Sequence, residues 1–85
     1  MTIYMVVIHM PHKDIIESYL TKQEAQQRFN DILLECSKHY GAIDKNGASL
    51  QHCFNYGYYQ INLGYFIQMY ESEIGEKTNI QWLKF

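Results

Sequence analysis

The chain has 85 residues, with 7 basic and 9 acidic side chains and a formal charge of −2. That length fits one domain, 1–85, with a small core, and the 47% apolar content is ordinary for a folded protein. A pI near 6.0 argues against phosphate-driven nucleic-acid binding, which needs a basic patch, and against the acidity of a DNA mimic.

Thr2 to His9 reads as a strand, apolar on both faces: Ile3, Met5 and Val7 on one, Tyr4, Val6 and Ile8 on the other. Such a strand belongs in the middle of a sheet covered on both sides. The run Ile3 to Ile8 is too short to cross a bilayer. No basic segment precedes it as in a secretory signal, so the expected compartment is the cytoplasm. Met10 to Asp14 is a turn punctuated by Pro11, and Ile15 to Leu20 is a second, shorter strand.

A helix is predicted from Lys22 to His39. Thr21 and Glu24 form a capping box at its start. Ala25, Phe29, Ile32, Leu33, Cys36 and Tyr40 make one apolar stripe. Lys38 and His39 suit the negative end of the dipole, and Gly41 is the stop.

Asp44-Lys45-Asn46-Gly47 is a turn. From Leu50 the pattern is read as a strand, with His52, Phe54, Tyr56 and Tyr58 on one face and Cys53, Asn55, Tyr59 and Ile61 on the other. Gly57 would mark a bulge and Asn62-Leu63-Gly64 a turn. Tyr65 to Ile74 is a further strand, Glu73 to Asn79 its closing turn, and Ile80 to Phe85 a last strand. The expected fold is α+β: a two-layer sandwich, ββαβββ, with one helix on a mainly antiparallel sheet of four or five strands.

Seven of the thirteen aromatic residues lie within seventeen positions: Phe54, Tyr56, Tyr58, Tyr59, Tyr65, Phe66 and Tyr70. They fall in a run from Leu50 to Tyr70 that holds no Asp, Glu, Lys or Arg. One helix cannot cover both faces of a sheet this apolar, and uncovered apolar patches mark partners. Tyrosine and tryptophan are favoured at interface hot spots. The predicted contact surface is Phe54, Tyr56, Tyr58, Tyr65, Tyr70 and Trp82. The simplest occupant is a second copy across a two-fold axis, and a host or partner protein is also expected.

Other chemistry is weaker. His9, His12, His39 and His52, with Cys36 and Cys53, would meet at one sheet edge as zinc ligands if 15–20 is a strand. The bland alternative is loop and strand-end histidines, with the cysteines as small apolar residues in a reducing compartment. No nucleophile elbow is present, and Cys36 with His39 is tied into helix packing. Glu71 and Glu73 lie on one side of a strand beside a turn, a solvated position for a carboxylate pair. The five glycines form no phosphate loop.

Gly57-Tyr58-Tyr59 resembles a strand of the RNA-recognition motif. A single helix, negative charge and the lack of a basic neighbour count against base stacking there. A small planar ligand, a nucleotide or signalling metabolite, is the stronger alternative. It would sit between rings at a dimer seam, its edges read by tyrosine hydroxyls, Asn55, Gln60 and Asn62. No cofactor is implied. Arg28 stands alone against six lysines, with many Ile, Asn and Tyr, a bias that fits an AT-rich genome. The overall expectation is a non-catalytic binding module, an accessory protein of a phage or mobile element that inhibits a host system.

Overall fold

The computed structural model describes residues 1–73. The turn expected after Glu73, the strand expected over 80–85 and Trp82 lie outside these residues. The first strand, β1 (Thr2–Met10), pairs antiparallel with β2 (Lys13–Tyr19). Met10 faces Lys13 across the two-residue corner Pro11-His12. Proline's fixed φ suits the first corner position of a type I turn, and no non-glycine residue among the described residues has a positive φ.

Next comes α1 (Lys22–Tyr40). Thr21 caps it, its Oγ1 accepting from the Glu24 N–H at 3.2 Å and donating to Glu24 Oε1 at 2.8 Å. Gly41 ends it at φ 104°, its N–H bonded to Ser37 O at 3.0 Å. Ala25, Phe29, Ile32 and Leu33 are buried, and Cys36 is half-buried. They follow the stripe read from the sequence.

The strand expected from Leu50 is instead a short helix, α2 (Leu50–Tyr56). Ser49 caps it by accepting the His52 N–H at 3.2 Å. Gly57 closes it in the left-handed region at φ 70°, so this glycine is a helix cap and not a bulge. Leu50, Cys53 and Phe54 recur at helical spacing and turn toward the core. Among the described residues the element order is therefore ββααββ, with two helices against four strands.

After α2 the chain enters β3 (Tyr58–Asn62), turns at Leu63-Gly64, and returns as β4 (Tyr65–Glu73). The sheet is antiparallel in the order β2-β1-β4-β3. Its register shifts between Gln60 and Asn62, which is where the irregularity falls.

Both helices pack on the face bearing Tyr4, Val6 and Ile8. Val6, Phe29, Leu33, Cys53, Tyr59 and Ile67 form the centre of the core. Tyr59 is fully buried, and its hydroxyl donates to Gly41 O at 2.8 Å. Burying a ring this way requires a partner for its polar tip. That bond also joins the end of α1 to β3.

The outer edge of β3 is closed. Asp44, 6% exposed, accepts the N–H groups of Asn46 and Ala48 on Oδ1, both at 2.9 Å, and that of Gln60 on Oδ2 at 3.2 Å. Lys45 N–H donates to Gln60 O at 2.9 Å. The loop between the helices thus covers the edge of β3 at Gln60, through both its N–H and its C=O.

Candidate contact surface

The aromatic run is divided by Gly57. Phe54 turns inward on α2 and packs against the core. Tyr56 stays on the last turn of α2, 73% exposed. Tyr58 continues on β3, on the sheet face away from the helices. Tyr65 is exposed at the start of β4, and Tyr70 lies further along that strand, half-buried. The residues named from the sequence therefore do not share one face.

The face away from the helices carries Met5, Val7 and His9 of β1 with Tyr58, Phe66 and Tyr70. At its centre Met5 and Val7 are buried, at 4% and 0% exposure. His9 stacks on Phe66 with ring centres 4.5 Å apart, and Tyr58 tilts against Phe66 at 5.4 Å. The phenols are already engaged: Tyr58 donates to Gln60 Oε1 at 3.1 Å and Tyr70 to Gln68 Oε1 at 2.9 Å. Burial holds both phenols above the ordinary tyrosine range. These rings are committed to their own sheet more than they are offered to solvent.

Tyr56 differs. Its ring stacks on His52, centre to centre 4.2 Å, and its hydroxyl has no hydrogen bond among the described residues. It stands at a cleft of about 220 Å³ lined also by Tyr4, Lys22, Gln26, Asn55, Met69, Tyr70 and Glu71. The sequence creates this cleft through the stop of α2. Gly57 brings the chain so close to β4 that a Cβ there would lie 3.2 Å from Met69 Cβ. The Met69 N–H donates to Gly57 O at 2.8 Å. Pairing of β3 with β4 reaches only to Gln68, so from Tyr70 onward β4, still paired with β1 on its other side, has no described strand on its β3 side, where the cleft lies. Gln26 fixes the other wall: its Nε2 donates to Asn30 Oδ1 at 2.8 Å and to Phe54 O at 3.3 Å, tying α1 to α2. Lys22 and Glu71 supply charges of opposite sign.

The cleft's volume falls below the range of about 300–1,000 Å³ typical of small-ligand pockets. The polar groups expected to read a planar ligand meet there only in part, through tyrosines and Asn55. Asn55 lines the cleft, but Gln60 is bonded to Asn46 and to Asn62 O along β3.

The histidines are spread out. His9 lies on the sheet with Nδ1 2.6 Å from Asp14 Oδ1, close but without the alignment of a hydrogen bond. His12 is in the β1–β2 corner, His39 in the last turn of α1, and His52 in the first turn of α2. No group of three His, Cys, Asp or Glu among the described residues could hold a metal ion. Both thiols are pushed up, Cys36 first by burial and then by Glu35, Cys53 first by burial and then by Asp44. That is the reverse of what a nucleophilic cysteine needs.

Glu71 lines the cleft, while Glu73 is engaged at the start of β1. Glu73 accepts from Thr2 Oγ1 at 2.7 Å and from the N-terminal amine at 3.2 Å. The Thr2 hydroxyl, then the amine, hold its carboxyl below the usual range. No described helix is long and apolar enough to cross a membrane. No protein-family model matches the chain, and neither a curated protein nor a solved structure matches it significantly.

Proposed function

We propose that this is a non-catalytic module that works by protein–protein contact, with the cleft beneath Tyr56 as the anchor point. One observation carries the reading: Tyr56, a ring 73% exposed, lines a cleft of about 220 Å³ together with Tyr4 and Tyr70. Interface energy concentrates at such aromatic anchors beside small desolvated pockets. Lys22 and Glu71 at the same site give a partner's polar or charged groups something to match. The raised thiols and the absence of a catalytic motif in the sequence support a binding role over an enzymatic one.

The composition supports the wider reading made from the sequence: a phage or mobile-element accessory protein whose partner is a host protein, working in the cytoplasm. The test is affinity capture from the native host, comparing the wild type with Tyr56→Ala. Tyr56 is solvent-exposed, so the variant keeps its fold and its circular dichroism. The expected result is a partner that the wild type retains and the variant loses. A folded variant that captures the same partner equally well would sink the proposal. A thermal-shift screen with nucleotides addresses the planar-ligand reading, through stabilisation by mass action.

A further inference from the structure

The two edges of the sheet are treated differently. The β3 edge is closed by the Asp44 loop. The β2 edge, Lys13–Tyr19, has no strand, loop or helix bonded along it among the described residues. It contains no proline and no bulge against β1, its register running unbroken from Tyr19 to Lys13. Ile15 and Ile16 on it are 40% and 48% exposed. A long regular edge with exposed β-branched side chains is a template for another strand.

We propose that β2 pairs with β2 of a second copy, antiparallel about a two-fold axis through Ile15, joining two sheets into one of eight strands. The surface lies apart from the Tyr56 cleft, so the inference is independent of the contact reading. The choice of occupant and register follows from the charges. A two-fold axis through Ile15 sets Ile15 against Ile15 and Lys13 against Glu17 of the other copy, twice over. An axis at Asp14 or Glu17 opposes like carboxylates. An axis between Ile15 and Ile16 places Asp14 against Glu17. An axis at Ile16 pairs Ile15 with Glu17 and opposes no unlike charges, whereas the Ile15 axis, which likewise sets Asp14 against Ile16, gains the two Lys13–Glu17 pairs. Opposed unlike charges stabilise a strand pair and like charges destabilise it, which leaves the Ile15 register.

The side chains are placed for it. Ile15 faces Ile8 and Glu17 faces Val6 in the β1–β2 register, so Lys13, Ile15 and Glu17 all point to the helix side. Glu17 is held in position by Arg28, with Nε to Oε1 at 2.8 Å and a second guanidinium nitrogen to Oε2 at 3.2 Å, and by the Tyr19 hydroxyl at 2.8 Å. A lysine arriving from the other copy meets a fixed carboxylate. Lys13 has no ion pair among the described residues.

Light scattering on the full chain, across a concentration series, tests the dimer. The expected mass rises toward twice 10.1 kDa, and Lys13→Glu, which opposes Glu17 with a second carboxylate, keeps the chain at one. Lys13 is exposed, so circular dichroism of that variant should match the wild type.

Register is read by oxidation of one introduced cysteine at a time in a Cys36→Ser background, where the remaining Cys53 is buried. Directly opposed residues lie about 4.5–5.5 Å apart at Cα, within disulfide reach. Ile15→Cys should therefore cross-link well ahead of Ile16→Cys. Faster cross-linking at Ile16→Cys would overturn the register. A monomer at every concentration, or a dimer unaffected by Lys13→Glu, would overturn the proposal.

Discussion

Asp44 offers the sharpest test of how the sheet edge is held. Its carboxylate takes three backbone N–H groups, two on Oδ1 and one on Oδ2, and only 6% of the residue is exposed. Hydrogen bonds to charged groups contribute about 1.5–3 kcal/mol each. Asn46 lies on an exposed loop, so water recovers part of the loss when the acceptor is removed. Asp44→Ala should cost about 3 kcal/mol. For a domain of this size that is a fall in Tm of roughly 12–24 °C.

Asp44→Asn separates the two oxygens. Its carbonyl can keep the two Oδ1 bonds, while its NH2 confronts the Gln60 N–H, donor against donor. The expected loss is about half that of alanine. Urea titration followed by circular dichroism measures both, with an unchanged m-value confirming that only stability moved. A loss below about 1 kcal/mol for Asp44→Ala would refute the account of the loop as a closed edge. Equal losses for Asn and Ala would refute the division of labour between the oxygens.

Gly57→Ala should destabilise by roughly 1–2 kcal/mol, from the left-handed φ and the crowding against Met69 together; a neutral result in thermal melts would contradict the cap. Glu17 is held below the ordinary carboxylate range, chiefly by its hydrogen bond from Arg28 and then by the Tyr19 hydroxyl. Its contribution is therefore complete above the unfolded carboxylate pKa of about 4.3 and fades as pH falls through the lower folded value. The pair is partly exposed, so the term is under about 1 kcal/mol. Melts between pH 6 and pH 3 should fall more steeply for the wild type than for Glu17→Gln, and parallel curves would contradict it. The raised thiols predict slow reaction of Cys36 and Cys53 with a disulfide reagent at pH 8 in the native state, with both released by guanidinium; rapid native labelling of Cys53 would show the core to be open.

The first half of the fold was legible because its signals agreed. Thr21, Glu24, the stripe from Ala25 to Cys36 and Gly41 all pointed to one helix, and the structure differs only in including Tyr40. The apolar run of β1 located the centre of the sheet. Residues 50–56 misled because two periods coexist there. His52, Phe54, Tyr56 and Tyr58 alternate as in a strand, while Leu50, Cys53 and Phe54 follow a helix. The deciding signals were local: Ser49 as an N-cap and Gly57 as a C-cap, seven residues of helix apart.

The contact surface inherited that error. Once 50–56 is helical, Phe54 faces the core and Tyr56 faces solvent, so a single aromatic face cannot form. The cleft was not legible at all. It depends on the close approach of Gly57 to Met69, which no spacing rule announces. Asp44 was read only as a turn residue, because closing a distant strand edge is a tertiary act.

The most direct test of the contact reading is the affinity of the captured partner, measured by calorimetry for the wild type, Tyr56→Ala and Tyr65→Ala. Tyr65 is also exposed, at 39%, but it sits at the opposite end of β4 from the cleft. An anchoring ring carries about 2 kcal/mol or more, so Tyr56→Ala should weaken binding by roughly thirtyfold while Tyr65→Ala changes it little. Equal affinities for the wild type and Tyr56→Ala, both folded, would contradict the account.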